Sequence, residues 1–195
     1  SRYNGTGATS WQMSGINCNG GYGDKFYYNS VSFTGALGNG TTSGPNAAFS
    51  NGNGINATAS PFISLKDNIF SMNGTNAVGQ FYNIYTTSTD ATITTWAVNY
   101  NDYYTNVTGG ATAFMARTGT ATAGEAFAAW QASTSQDANS IILDPIYNST
   151  TNLHPQLGSP VIGAANNDGT GVTTDILGAV RNGGVAHASF TSGEN

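Results

Sequence analysis

The chain has 195 residues, a net charge of −5 and only 8% charged residues, against roughly 25% in an ordinary soluble domain. Gly (26), Thr (26), Asn (23) and Ser (18) make its polar surface one of hydroxyls and amides, a composition suited to extracellular β-rich proteins rather than to a cytosolic enzyme. The five basic residues, Arg2, Lys25, Lys66, Arg117 and Arg181, are scattered, which excludes the clustered cations that nucleic acid or an anionic membrane surface requires, and no stretch approaches the ~20 apolar residues of a spanning helix.

At 38% hydrophobic, the chain can bury a sizeable core as a single domain. The lone cysteine, Cys18, has no internal partner, no neighbouring His and no basic residue nearer in sequence than Lys25. It reads as a small buried residue rather than a reactive thiol. A start at Ser1-Arg2-Tyr3, with neither Met nor a signal-like segment, reads as a piece of a longer precursor.

In chain order, short runs rich in Val, Ile, Tyr, Phe and Thr alternate with Gly-Asn-Ser-Thr loops. The candidate strands are KFYYNSVSFTG (25–35), PFISLKDNIFSMNG (61–74), GQFYNIYTT (79–87) and ITTWAVNYNDYYTN (93–106). Helical character appears once, in TAGEAFAAWQAST (122–134), where Phe127 and Trp130 share a face among good helix formers.

Three of the strand runs share a template. Aligning Asn29, Asn68 and Asn101, 39 and 33 residues apart, brings Phe26, Leu65 and Val98 into one column and Val31, Phe70 and Tyr103 into another. Repeats of this period suggest a solenoid, in which like residues stack on like. An Asn recurring at a turn can stack as well, its amide donating and accepting along the axis. Chance matches in so Asn-rich a chain are the alternative.

The second half carries a longer text. NYNDYY (99–104), AAWQAST (128–134), QDANSIILDPIY (136–147), NLHPQLGSPVIGAA (152–165) and TDILGAVRN (174–182) follow one another in fixed order. Over residues 97–182 this resembles the C-terminal region of secreted right-handed parallel β-helix (pectate-lyase-like) proteins, especially large surface proteins of the Bacteroidetes group. The resemblance implies an all-β fold: a right-handed parallel β-helix (β-solenoid) with one short helical turn near 122–134 and a C-terminal cap region. It implies a single β-solenoid domain over 1–195, with coils over 1–121, terminal coils and cap over 122–182, and a tail or exchangeable strand over 183–195. Asp144-Pro145 and Ser159-Pro160 are then expected to start short strands. Ile141, Ile142 and Leu143 would fill the last coil, with Val161 and Ile162 behind them. The text departs from the family at GGVAHASFTSGEN, where Val185, His187 and Phe190 alternate as a candidate assembly strand.

Parallel β-helices of this kind often host polysaccharide lyases and hydrolases. A lyase needs a base and a cation, and a hydrolase needs paired carboxylates. Lys66 lies inside a repeated strand run, and its LKDNIF context reads as a solvated strand face. Asp67 and Asp102 do not share a register position, and turn formation accounts for Asp102, Asp137 and Asp144. No metal, phosphate or nucleophile motif is present, and His154 and His187 are isolated. No catalytic residue, metal ligand or cofactor is therefore assigned. Tyr27 and Tyr104 point outward in the repeat register and are candidate glycan-binding rings.

The expectation is a non-catalytic extracellular or cell-surface structural or adhesive module: a stalk, an adhesin segment or a fibre subunit. Its partners would be surface glycans or other copies of itself, without nucleic acid and without membrane insertion. The alternatives are the C-terminal part of a carbohydrate-active enzyme and a glycan-binding module.

Overall fold

The computed structural model describes residues 13–36, 46–52, 59–75, 77–120, 123–165 and 171–174. The strands are β1 (Ser14–Cys18), β2 (Asp24–Tyr27), β3 (Ser30–Ala36), β4 (Asn46–Asn51), β5 (Ile63–Lys66), β6 (Ile69–Thr75), β7 (Ala77–Thr86), β8 (Ala97–Asn99), β9 (Asp102–Thr105) and β10 (Gly109–Arg117). Two short helices, α1 (Asp90–Ile93) and α2 (Phe127–Thr134), complete the elements. The fold is mostly β, and every pairing between these strands is parallel.

The strands form three sheets, ordered β1-β4-β7-β10, β2-β5-β8 and β3-β6-β9. The chain visits the three sheets in the same cyclic order three times, and β10 begins a fourth round. Register follows the repeat: Phe26 pairs with Leu65 and Leu65 with Val98, while Val31 pairs with Phe70 and Phe70 with Tyr103. Leu65, Phe70, Val98 and Tyr103 are buried, and Phe26, in an edge strand, is half-buried against them. Phe49 of the first sheet meets Phe26 of the second at 5.2 Å and Phe70 of the third at 6.4 Å, so all three sheets face one shared core.

Each template run is two strands rather than one, bent at a two-residue corner. Tyr28 (φ 57°), Asp67 (φ 58°) and Tyr100 (φ 58°) take the left-handed conformation immediately before Asn29, Asn68 and Asn101. That conformation is costly for a side-chain-bearing residue. Here the Asn that follows locks it. Its amide oxygen accepts the backbone N–H of the Asn one round earlier, from Asn29 to Asn68 and from Asn68 to Asn101, both at 3.0 Å.

Several expectations need correction. The helix starts at Phe127 rather than at 122, because Glu125 is held by β10: its N–H donates to Ala116 O (2.7 Å) and its carbonyl accepts from Met115 N (3.0 Å). Pro145 and Pro160 do not start strands. Residues 144–165 run as turns with one isolated antiparallel bridge, Tyr147 to Pro155. Ile141 alone pairs with the sheets, through a parallel bridge to Asp102, while Ile142 and Leu143 are about half exposed (54% and 49%). Val161 and Ile162 lie half-buried in a turn. Val185, His187 and Phe190, and most of TDILGAVRN, lie outside the described residues.

Candidate functional site

The most extensive polar construction is the row of corner amides. Asn29 Nδ2 donates to Asn68 Oδ1 (2.9 Å), Asn68 Nδ2 to Asn101 Oδ1 (3.0 Å) and Asn101 Nδ2 to Asp137 Oδ1 (3.3 Å). The Nδ2 groups also donate to strand carbonyls, such as Asn68 to Phe26 O and Lys66 O and Asn101 to Leu65 O. Asp137 closes the row. It is buried, with φ 60°, and its carboxylate accepts from Trp130 Nε1 (2.7 Å), Ser140 Oγ (2.5 Å) and Tyr103 OH (3.1 Å). Burial pushes its carboxyl upward, and these donors oppose that shift.

A second polar cluster lies on the outer face of the third sheet. Asp102 is 3% exposed; its Oδ1 accepts from Leu143 N (3.0 Å), and its Oδ2 has no hydrogen-bond partner. Burial pushes the carboxyl up to about 7, with the nearby charge of Asp144 adding to the shift and the N–H groups of Leu143 and Tyr103 opposing it. Tyr104 hydrogen-bonds Asp144, and burial followed by that carboxylate raises its phenol. The buried Tyr147 hydroxyl lies beside Ser30, Asp102 and Asp144 without a well-formed hydrogen bond, and burial raises it too. Two carboxylates and two phenols could in principle exchange protons with a substrate. Here Asp102 is sealed under residues 143–147, so the cluster fastens that segment to the sheet instead of presenting an open reaction centre.

Tyr27 and Tyr104 do not come together. Tyr27 stands in β2, half-buried, with its hydroxyl donating to Ser64 Oγ (2.8 Å), while Tyr104 stands in β9 under Asp144. Lys66 pairs in register with Tyr27 and Asn99 at the end of β5. Cys18 is buried, and burial together with the Asp24 carboxylate pushes its thiol up to about 11, the reverse of activation. No group of three or more metal-binding side chains occurs among the described residues.

A surface feature was not apparent in the sequence. Loops preceding β2, β5 and β8 stack and leave a shallow, open groove of about 500 Å³ lined by Tyr22, Pro61, Phe62, Ala91, Thr92 and Thr95. Tyr22 is 83% exposed, and its ring stacks on Phe62 at 6.3 Å with 26° between planes. Gly21 (φ 101°) and Gly23 (φ 77°) lift Tyr22 out of the loop, and a Cβ at Gly21 would sit 2.4 Å from Asp24 Oδ2. The loops are tied by Gly23 N donating to Phe62 O (3.1 Å), and Thr95 Oγ1 approaches Pro61 O at 3.4 Å. The signal was Gly-Tyr-Gly, an aromatic between two residues that hold it clear of the surface. Comparisons with protein-family models, curated proteins and solved structures find no match to this chain.

Proposed function

We propose that the chain is a non-catalytic extracellular or cell-surface module, structural or adhesive, built as a right-handed parallel β-helix. The observation that carries this reading is the amide row. Its buried polar groups are spent on holding successive rounds in register, and none is directed to an open site. The cyclic strand order and the stacked columns suit a solenoid whose rounds each bury a neighbour's apolar face. With only 8% charged residues, the hydroxyl-and-amide surface offers many uncharged contact positions, which suits contacts between surfaces. The resemblance of residues 97–182 to the C-terminal region of secreted β-helix proteins supports the same architecture.

The test is enzymatic and hydrodynamic together. Purified chain is expected to leave pectin, alginate and neutral glycans intact and to scatter as an elongated particle. Depolymerisation lost on Lys66→Ala or Asp102→Asn would replace this reading with a carbohydrate-active enzyme. Head-to-tail assembly through Val185, His187 and Phe190 belongs to the same proposal. Deleting residues 183–195 should then leave a folded monomer and abolish high-mass species in light scattering. A full-length chain that stays monomeric at high concentration removes the fibre and leaves the stalk or adhesin.

A further inference from the structure

The groove at Tyr22 combines three features that ordinary surface does not. Its floor is an exposed aromatic pair, Tyr22 on Phe62, 83% and 37% exposed. Its far wall is the hydroxyl-bearing end of α1 and the turn after it, Thr92 and Thr95. None of the six lining residues carries a charge.

The size and form of the groove select the occupant. At about 500 Å³ it falls within the range of small-ligand sites. Its six lining residues fall well short of the roughly 20–30 per partner that a stable protein interface engages. A wholly apolar ligand calls for an enclosed pocket that buries most of its surface, and this groove is open. A sugar ring matches it better: one face of C–H groups lies flat on an aromatic ring, and the equatorial hydroxyls reach sideways to polar groups. Thr95 Oγ1 donates its proton to Thr92 O (2.7 Å) and so keeps lone pairs to accept from a sugar hydroxyl. With no cation in the lining, a uronic acid carboxylate would be left unneutralised, which favours a neutral sugar.

We propose that this groove is a subsite for a neutral pyranose of a glycan chain, stacked on Tyr22 and Phe62 and hydrogen-bonded at Thr92 and Thr95. It deepens the adhesive form of the proposed function by naming a target and a place, and it lies apart from Tyr27 and Tyr104. The stacking of the contributing loops, one per round, runs the groove along the repeat direction, which suits an extended glycan.

The experiment titrates the 195-residue chain with neutral hexasaccharides (cello-, xylo-, laminari- and malto-) and with acidic oligogalacturonate, followed by calorimetry and by NMR of the groove resonances. At least one neutral hexasaccharide is expected to bind and shift Tyr22, Phe62 and Thr95. Tyr22→Ala and Phe62→Ala should each weaken binding about tenfold, while Tyr22→Trp retains it. Tyr22 is so exposed that its variants keep the wild-type circular dichroism. Absence of any neutral binding up to the solubility limit, unchanged affinity in Tyr22→Ala, or preference for oligogalacturonate would overturn the subsite. Because particle shape and depolymerase activity are measured separately, such a failure leaves the structural reading standing, and failure of that reading leaves the sugar titration interpretable.

Discussion

Asn68 shows how much a single buried amide does in this chain. Its oxygen accepts from both nitrogens of Asn29, and its nitrogen donates to Phe26 O, Lys66 O and Asn101 Oδ1. Asn68→Ala orphans groups above and below it, each at about 1–3 kcal/mol, so a loss of at least ~3 kcal/mol is expected in denaturant melts. Asn68→Asp should be worse at neutral pH, because a carboxylate would face three acceptors. Asp102 gives the pH prediction. Its folded carboxyl titrates at about 7 against an ordinary 3.8, so between those values the folded chain holds a proton that the unfolded chain has released. Stability from this group is therefore present at low pH and is lost as pH rises toward about 7. Burial and the charge of Asp144 keep the charged form unfavourable, while the N–H groups of Leu143 and Tyr103 offset part of that cost; the phenols of Tyr104 and Tyr147 lie beside the group. Asp102→Asn should flatten the melting temperature across that window and exceed wild type above it. Asp137 and Glu125 are shifted the same way, so some slope should remain.

At the scale of elements, the sequence was readable where one face of a strand is solvated and opaque where it is not. Phe26, Leu65 and Val98 stood out because polar neighbours alternate with them, and their pairing agrees with the aligned columns. β4, NAAFSN, is buried at every position and built from small residues, so no alternation marks it. β1 and β10 are likewise rich in Gly, Ala and Ser or Thr and escape the same search. α1 is a single turn, four residues capped by Thr89, too short to show a period. The prolines misled because a ring that fixes φ suits a turn as well as a strand start; the strand chemistry around Asp144-Pro145 goes instead into fastening residues 143–147 over Asp102. Position within a column should set the cost of truncation. Leu65→Ala, in the centre of the second sheet and 0% exposed, should cost about 2–5 kcal/mol. Phe26→Ala, at the edge and half-buried, should cost less despite removing a larger side chain, and chevron or melt data on the two variants check this order.

For the whole molecule, burial is uneven along the stack. β4, β5 and β6 are mostly buried, whereas β1, β2 and β3 are largely half-exposed at the outer edge of each sheet. Native-state amide exchange should therefore be slowest in β4 through β7 and faster in β1 through β3. Equal protection in both sets would mean that the first round is covered as fully as the second. The candidate groove was the least legible feature at this scale. Tyr22, Phe62 and Thr95 come from three different rounds, and only stacking makes them neighbours.

The corner amides all hand their hydrogens in the same sense, from Asn29 through Asn68 and Asn101 to Asp137. An interior member must both receive and give, which an amide does and a carboxylate does not. Only the final member can be a pure receiver, and there a carboxylate outperforms an amide because every neighbour, Trp130, Tyr103, Ser140 and Asn101, comes to it as a donor. Asp137 thus works as punctuation at the end of the row: a full stop written in the side-chain alphabet. After it, among the described residues, the chain forms no further strand. The corner position opposite Asn101 is held by Ser140, whose Oγ accepts the Asn101 N–H (2.8 Å) and passes its own proton to Asp137. A chain lengthened by another round should carry Asn in place of Ser140.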